Sequence, residues 1–198
     1  MRIRGVCTAF CVAVLVFTVA STGSASAITF GTWYEFATTG IGTPAVGCFP
    51  ADPAGFSCIP GTISVFAPAP PYTFLAPSGG VDLTVTDGFS SGDRAEIFDF
   101  GTSIGLTPMV PLGTNCGNDV LACLGNPGMS HGVFFLGSGS HSITFSEGAG
   151  ALITSGVQFF EVTPAPEPAS IILLGIGLAG LALTRRDQNS NHTWSVFD

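Results

Sequence analysis

Two uncharged apolar runs, one near each end of the chain, constrain this sequence more than any other feature. The first run extends from Val6 to about Ala20 and the second from Ala169 to Thr184. Four of the five basic residues lie directly beside these runs: Arg2, Arg4, Arg185 and Arg186. The ends therefore raise the mean hydropathy to +0.54. Residues 28–163 between them are enough for one domain with a buried core.

The N-terminal segment has the three parts of a secretory signal peptide. A basic start is followed by the apolar run and then by the small residues Ser24-Ala25-Ser26-Ala27. Ala25 and Ala27 occupy the A-x-A positions that signal peptidase reads, which predicts cleavage after Ala27. An uncleaved membrane anchor is the alternative, but the run is short for a span and ends in small and polar residues. Residues 1–27 are therefore predicted to be removed on export.

The C-terminal segment predicts a short transmembrane helix behind a stiff hinge. Residues 163–168, Thr-Pro-Ala-Pro-Glu-Pro, cannot continue a helix or a sheet ladder. The uncharged residues from Ala169 to Thr184 would form a helix about 24 Å long, which is short for a hydrocarbon core of about 30 Å. Arg185 and Arg186 then favour a cytoplasmic end under the positive-inside rule. A buried core helix is the alternative, and the glycines of the run weaken it.

Three features follow one another in this segment: Pro166-Glu167-Pro168, a glycine-punctuated apolar run, and the Arg185-Arg186 pair. Their order resembles the PEP-CTERM sorting signal of Gram-negative bacteria, over residues 164–186. The resemblance implies that exosortase, a membrane-embedded enzyme, recognises the segment and cuts near the Pro-Glu-Pro element. The exported domain would then reach the cell surface or the extracellular matrix, often in strains that make an exopolysaccharide biofilm. Residues 187–198 form a polar tail that is longer than the family usually carries.

Residues 28–163 are strongly acidic, with Arg94 as their only lysine or arginine against ten carboxylates, a net charge of −9. Nucleic-acid binding needs cations that neutralise phosphates, so it is excluded for this region. Binding to an anionic lipid surface is excluded for the same reason. The expected partners are signal peptidase, exosortase, the membrane as a transient anchor and, through the resemblance, exopolysaccharide.

The same region is predicted to fold as a single all-β sandwich of jelly-roll-like type. Turn residues recur about every eight to twelve positions, and the runs between them are rich in Val, Ile, Thr and Phe. The predicted strands are 28–37, 62–67, 81–86, 95–100, 103–106, 132–136, 141–146 and 151–162. The glycine-serine link at residues 137–140 predicts a hairpin between the 132–136 and 141–146 strands. Helix content is expected to be low, because no segment keeps a 3.6-residue apolar period over three turns.

Four cysteines lie in this exported region, and their even number predicts two disulfide bonds in an oxidising compartment. The sequence alone permits three pairings. The local pairs Cys48–Cys58 and Cys116–Cys123 are preferred, because each brackets a loop rich in glycine or proline with few apolar residues to order it. Zinc binding is the alternative. It is disfavoured because the spacings are not C-x2-C and exported thiols oxidise.

The densest polar segment is residues 86–101, TDGFSSGDRAEIFDFG. Together with residues 130–134 and 139–144 it resembles a domain common in PEP-CTERM proteins, which implies a β fold but no assigned activity. Two roles are open for its acids. They can cap turn amides and pair with Arg94, or four of them can bind calcium through oxygen ligands: Asp87, Asp93, Glu96 and Asp99. No other cofactor or metal is expected.

Three functions are open for the domain. A non-enzymatic protein of the cell surface or extracellular matrix is preferred. The second is a carbohydrate-binding module in which Trp33 and Tyr34 stack on sugars. The third and most remote is a secreted esterase, because residues 128–132, Gly-Met-Ser-His-Gly, match the G-x-S-x-G nucleophile elbow around Ser130. That elbow requires a helix after the serine, whereas a strand is predicted there, so no catalytic residue is predicted.

Overall fold

The computed structural model describes residues 25–153 and 155–166. Most of the predicted signal peptide lies outside the described residues, as do the predicted membrane helix, Glu167, Pro168, Arg185, Arg186 and the 187–198 tail. Within the described ranges, no helix is long and apolar enough to cross a membrane.

The described part of the chain forms twelve strands and one short helix, which confirms the all-β prediction. In chain order the elements are β1 (Ser26–Ala27), β2 (Trp33–Thr38), β3 (Ser64–Phe66), β4 (Tyr72–Ala76), β5 (Val81–Asp87), β6 (Phe89–Ser90), β7 (Ala95–Asp99), β8 (Thr102–Leu106), β9 (Asn115–Gly117), α1 (Val120–Leu124), β10 (His131–Leu136), β11 (Gly139–Glu147) and β12 (Gly156–Pro164).

Eight of these strands form a jelly roll. The β12 sheet has the order β10-β5-β12-β2, and the β11 sheet has the order β4-β11-β7-β8. β2 pairs with β12, β4 with β11, β5 with β10 and β7 with β8, all antiparallel. This nested pairing is that of one long antiparallel ribbon rolled up so that its strands alternate between two sheets. The jelly-roll-like sandwich is therefore confirmed, and β1 and β3 add parallel edge strands to β4 and β2.

The main hydrophobic core lies between the two sheets and is dominated by aromatic rings. Strand alternation turns every second side chain inward, so Phe36 of β2 faces Phe145 of β11 and lies beside Phe160 of β12. Phe36 stacks on Phe145 with ring centroids 4.5 Å apart, and Phe160 lies 4.8 Å from Tyr72. Burying each such ring contributes about 1.5–3 kcal/mol. A one-residue slip would expose the rings, so their burial fixes the register of both sheets.

A second, smaller cluster covers the outer face of the β12 sheet. Trp33 of β2 and Phe159 of β12 point away from the main core and pack against Val120 of α1. α1 begins after Asp119, whose side chain accepts hydrogen bonds from two backbone N–H groups of the first turn, both at 3.0 Å. A five-residue helix is too short to produce an apolar period, so the sequence pattern does not indicate it.

The predicted hairpin between the 132–136 and 141–146 strands is wrong. β10 pairs with β5, whereas β11 pairs with β4 and β7 in the opposite sheet. The short link at Gly137 and Ser138 therefore passes from one sheet to the other. A glycine-serine link permits either connection, and the crossing is the one that buries Leu136 and Ile143 in a single shared core.

Candidate functional site

Both disulfide bonds are the predicted local pairs. Cys48 joins Cys58 and Cys116 joins Cys123, with Cα–Cα distances of 5.6 and 5.0 Å. The four thiols are therefore used in covalent bonds, and zinc binding by them is excluded. Cys48 and Cys58 also lie next to the buried carboxyl of Glu35, but disulfide sulfurs are not thiolate ligands.

A cavity of about 290 Å³ opens between the Cys48–Cys58 loop and the neighbouring ends of β6 and β12. Its lining is mostly apolar and includes Phe56, Phe89 and Val157. Asp93 is the only ionisable side chain among the lining residues that the structure describes. Asp93 therefore belongs both to the cavity lining and to a group of buried polar residues next to it.

That polar group closes one end of the main core, and we call it the acidic cluster. It consists of Asp87, Asp93, Glu147 and Gln158, which are 2, 3, 0 and 1 % exposed. Asp87 lies directly opposite Gln158 in the β5–β12 register, so both side chains lie on the same face of the sheet. This is the inner face, because Gln158 is also opposite the core residue Phe36. Glu147 reaches the cluster from the β11 sheet.

Hydrogen bonds hold one part of the acidic cluster and leave another part unsatisfied. Oε1 of Glu147 accepts from the Arg94 backbone N–H at 2.6 Å. Oε2 of Glu147 accepts from the Thr38 hydroxyl at 2.7 Å and from Nε2 of Gln158 at 3.3 Å. Oδ2 of Asp87 accepts from the Gly92 N–H at 3.2 Å. The positions of Glu147 and Gln158 are thereby fixed.

The acidic cluster has no cationic partner among the described side chains. Arg94 donates from Nε to the Thr107 carbonyl at 2.6 Å and from a terminal nitrogen to the Ala149 carbonyl at 2.7 Å. The pairing of Arg94 with Asp93, Glu96 or Asp99, which the sequence left open, is therefore not formed among the described residues. Among the described residues, the one contact at salt-bridge distance joins Nδ1 of His141 to Oδ2 of Asp99, at 2.8 Å.

Burial raises the pKa of all three acids of the cluster. Burial, followed by the carboxylate of Asp93, raises the pKa of Asp87 to about 8. Burial, followed by the carboxylate of Glu147, raises the pKa of Asp93 to about 7. Burial also raises the pKa of Glu147, against the hydrogen bonds that it accepts. All three groups are therefore biased toward the protonated form unless a cation stabilises their charge.

The predicted four-acid calcium site is wrong as a set. Asp87 and Asp93 do lie together, but Glu96 accepts a hydrogen bond from Ser103 at 2.8 Å, and Asp99 binds His141 and the Ser142 N–H. The reason is geometric. A strand rises about 3.3 Å per residue, so β7 carries Asp99 away from the cluster, and alternation turns Glu96 outward between the buried Ala95 and Ile97.

Trp33 and Tyr34 do not form the exposed stacking platform that sugar binding requires. They are only 7 and 8 % exposed. Trp33 belongs to the cluster under α1, and Tyr34 stacks on Phe160 inside the main core with ring centroids 5.3 Å apart. The Tyr34 hydroxyl accepts a hydrogen bond from the Thr29 N–H at 2.9 Å. Both residues therefore stabilise the fold.

The surroundings of Ser130 are not those of a nucleophile elbow. Ser130 is 1 % exposed, and its hydroxyl contacts the Pro108 carbonyl at 2.5 Å and the Thr107 hydroxyl at 2.7 Å. Strand β10, not a helix, begins at the next residue. The His131 ring contacts the Met129 carbonyl instead of the serine. The esterase alternative has no support at this position.

The two predicted processing points lie at the ends of the folded domain. Ala25 directly precedes β1, and Ala27 lies within it, where β1 pairs with β4. At the other end, β12 remains paired with β5 as far as Pro164, and the Ala165 N–H donates to the Gly80 carbonyl at 3.1 Å. Pro166 follows as an exposed residue.

Residues 164–186 match the family model of the PEP-CTERM protein-sorting motif. The chain carries a PEP-CTERM sorting motif. The motif implies export through a membrane intermediate to the cell surface of a Gram-negative bacterium and processing by exosortase. The match covers the same residues that the Pro-Glu-Pro element, apolar run and arginine pair indicate. Neither the curated proteins nor the solved structures compared with the chain contain a match.

Glu35, Glu147 and Gln158 are among the buried polar residues that were not predicted from the sequence. Oε2 of Glu35 accepts from the Gly61 N–H at 2.8 Å and from the Ser64 hydroxyl at 3.2 Å, and burial raises the pKa of its carboxyl. The spacing of Gln158 is the only indication of its burial in the sequence. Gln158, Phe160 and Val162 occupy every second position of one strand, so Gln158 lies on the same inner face as these two apolar residues.

Proposed function

We propose that this protein is a non-enzymatic component of the cell surface or extracellular matrix, released by exosortase cleavage within Pro166-Glu167-Pro168. The position of the sorting motif relative to the fold carries the proposal. β12 ends at Pro164, which is also the first residue of the motif. The folded domain therefore passes directly into the sorting signal without an intervening linker.

A cut within Pro166-Glu167-Pro168 would leave the sandwich complete. Pro164 still lies opposite Val81, and the Ala165 N–H still bonds to the Gly80 carbonyl. All strands of the two described sheets lie before the cut. Release would therefore cost the domain no strand pairing.

Intact mass spectrometry of the protein recovered from the producing cells tests this cleavage. We expect a species that begins after the signal peptide and ends within or next to Pro166-Glu167-Pro168. A mature species that still contains Ile171–Leu183 would contradict the proposal.

A pair of variants tests which residues are recognised. Glu167→Ala is expected to keep the chain in the membrane fraction at the mass of the unprocessed intermediate. Asp187→Ala removes a carboxylate beyond the arginine pair and is the matched control, which is expected to mature normally. Equal maturation of both variants would exclude Pro-Glu-Pro as the recognition element.

The matrix role is supported by the chemistry of the domain. Two disulfide bonds brace its loops, and its net charge is −9 over residues 28–163, which suits a soluble protein in an oxidising space. We expect the protein to fractionate with the exopolysaccharide and to enter the medium when that polysaccharide is digested. Ester hydrolysis that is lost in Ser130→Ala would contradict the non-enzymatic assignment.

Carbohydrate binding is a second candidate, on a different surface from the one predicted. A shallow groove of about 470 Å³ on the β11 sheet is lined by Phe100 and Leu75 next to His141 and two serines. Phe100 is 68 % exposed, and an exposed ring beside polar groups is a combination that sugar sites use. Polysaccharide pull-down should be lost in Phe100→Ala and retained in Phe135→Ala, whose ring is 65 % exposed on β10. Equal binding by both variants would contradict this site.

A further inference from the structure

The acidic cluster is electrostatically incomplete. Asp87, Asp93 and Glu147 bring three carboxyl groups into a buried space, and the described residues supply no cationic side chain to them. Buried carboxylates without a countercharge are costly, so they are normally paired, protonated or bound to a metal ion. Either protons or a cation must therefore compensate the cluster.

The unpartnered oxygen atoms of the cluster show where a cation would be held. Oδ1 of Asp87, Oδ1 of Asp93 and Oε1 of Gln158 are buried without a hydrogen-bond partner. Gln158 is 1 % exposed, and its Nε2 is anchored on Glu147. Gln158 lies opposite Asp87 on the same inner face, so its unpartnered oxygen belongs to the same buried polar region as the carboxyl groups. Protons shared between the carboxyl groups of Asp87 and Asp93, which hydrogen-bond to each other, are one way to satisfy these acceptors, and a cation placed among the three oxygens supplies both the countercharge and the missing partner.

We propose that the acidic cluster binds a divalent cation of the calcium class, with Asp87, Asp93 and Gln158 as ligands. Carboxylate and amide oxygens form an all-oxygen set, which hard cations such as Ca²⁺ prefer. Glu147 is a positioning residue, because it holds the Gln158 amide through Nε2. The site keeps Asp87 and Asp93 of the sequence hypothesis and replaces Glu96 and Asp99 with one ligand, Gln158 of β12.

Two further features of the structure fit this site. Asp93 lies on the lining of the cavity of about 290 Å³, which gives the ion a path from solvent. The start of β12, which also lines this cavity, approaches Asp93 so closely that a Cβ at Gly156 would lie 1.7 Å from Oδ2. The carboxyl of Asp93 is therefore packed tightly against the β12 backbone at the cavity wall.

Calcium titration of the full-length chain, purified in detergent and freed of metal by EDTA and desalting, tests the proposal. Calorimetry is expected to give one calcium per chain, and calcium is expected to raise the melting temperature by several degrees at pH 8. Asp93→Asn should weaken binding at least tenfold. Asp82→Asn makes the same chemical change at a half-buried position of β5 outside the cluster, so it is the matched control and should bind as the unaltered protein does.

Gln158→Met separates ligation from charge, because methionine keeps the length of the side chain and removes its oxygen. Weaker calcium binding with both aspartates intact is expected. The absence of both a binding heat and a melting shift in the unaltered protein would overturn the proposal, whether or not the variants fold. In that outcome shared protons compensate the cluster, and Asp93→Asn should stabilise the protein at pH 8 with no response to calcium.

Discussion

Asp87 and Asp93 occupy positions where the fold penalises their ionised forms. The pKa values of about 8 and about 7 lie well above the ordinary value of 3.8. Between the ordinary and the raised values, the folded state holds protons that the unfolded state has already released. The neighbouring groups do not reverse this, since Glu147 is also acidic, Gln158 and Thr38 are neutral, and the Arg94 guanidinium binds carbonyls elsewhere.

Without calcium, stability is therefore expected to fall as pH rises from about 4 toward 8. The slope is about 1.4 kcal/mol per pH unit for each proton that only the folded state retains. Urea denaturation at pH 5 and pH 8 in EDTA measures this change. Saturating calcium should reduce the difference, because a bound cation favours the ionised acids. Stability that increases with pH in EDTA would contradict the assignment of the buried acids.

Gly156 gives a second prediction at the level of single residues. A methyl group at this position collides with Oδ2 of Asp93, so Gly156→Ala is expected to destabilise the fold by about 1–3 kcal/mol, as overpacking does. Gly137→Ala is the matched control, because a Cβ there meets nothing within 4 Å. Thermal denaturation of the two variants measures the difference. Equal melting temperatures would show that β12 does not pack closely on Asp93.

The sequence predicts only the local half of the acidic cluster. Asp87 and Asp93 stand out because they flank a glycine-rich turn in one short segment. Glu147 and Gln158 join them only through the pairing of β11 and β12 with distant strands. No local pattern encodes that pairing, so sequence reasoning selected the nearer acids Glu96 and Asp99 instead.

At the level of elements, several strands could be predicted closely from their turn boundaries, whereas β4 could not. The predicted strands 81–86, 103–106 and 132–136 match β5, β8 and β10 within one residue at each end. β4 was missed because prolines lie just before and after its five residues, where they normally indicate a break. The 151–162 prediction began too early, since β12 starts at Gly156.

The Cys116–Cys123 disulfide connects β9 to α1. It should therefore stabilise the packing of α1 on Trp33 and Phe159 at the outer face of the β12 sheet. Replacing both cysteines with serine is expected to cost about 2–3 kcal/mol, the loop-entropy value for a loop of this length. Denaturation of the oxidised protein and the double variant measures the loss. Retained stability would show that α1 stays packed on Phe159 without the covalent bond. Cys48→Ser with Cys58→Ser should cost a similar amount.

At the level of the whole molecule, the last strand of the domain is also a central one. β12 pairs with β5 on one side and β2 on the other, so neither half of the β12 sheet is complete until residues 156–164 are in place. A chain ending at Ser155 is expected to be degraded in the export compartment, whereas a chain ending at Pro168 should accumulate and unfold cooperatively. Accumulation of the shorter chain as a folded protein would contradict the central role of β12.

The acidic cluster and the sorting signal lie at opposite ends of β12. Gly156 and Gln158 lie at its start, and Pro164 at its end leads into the sorting motif. Eight residue steps along a strand span roughly 26 Å. The surface potential of a membrane decays over about 8 Å at physiological ionic strength. An ion in the cluster would thus be exchanged with bulk solution, and the tethered intermediate and the released protein would respond to the same external calcium level.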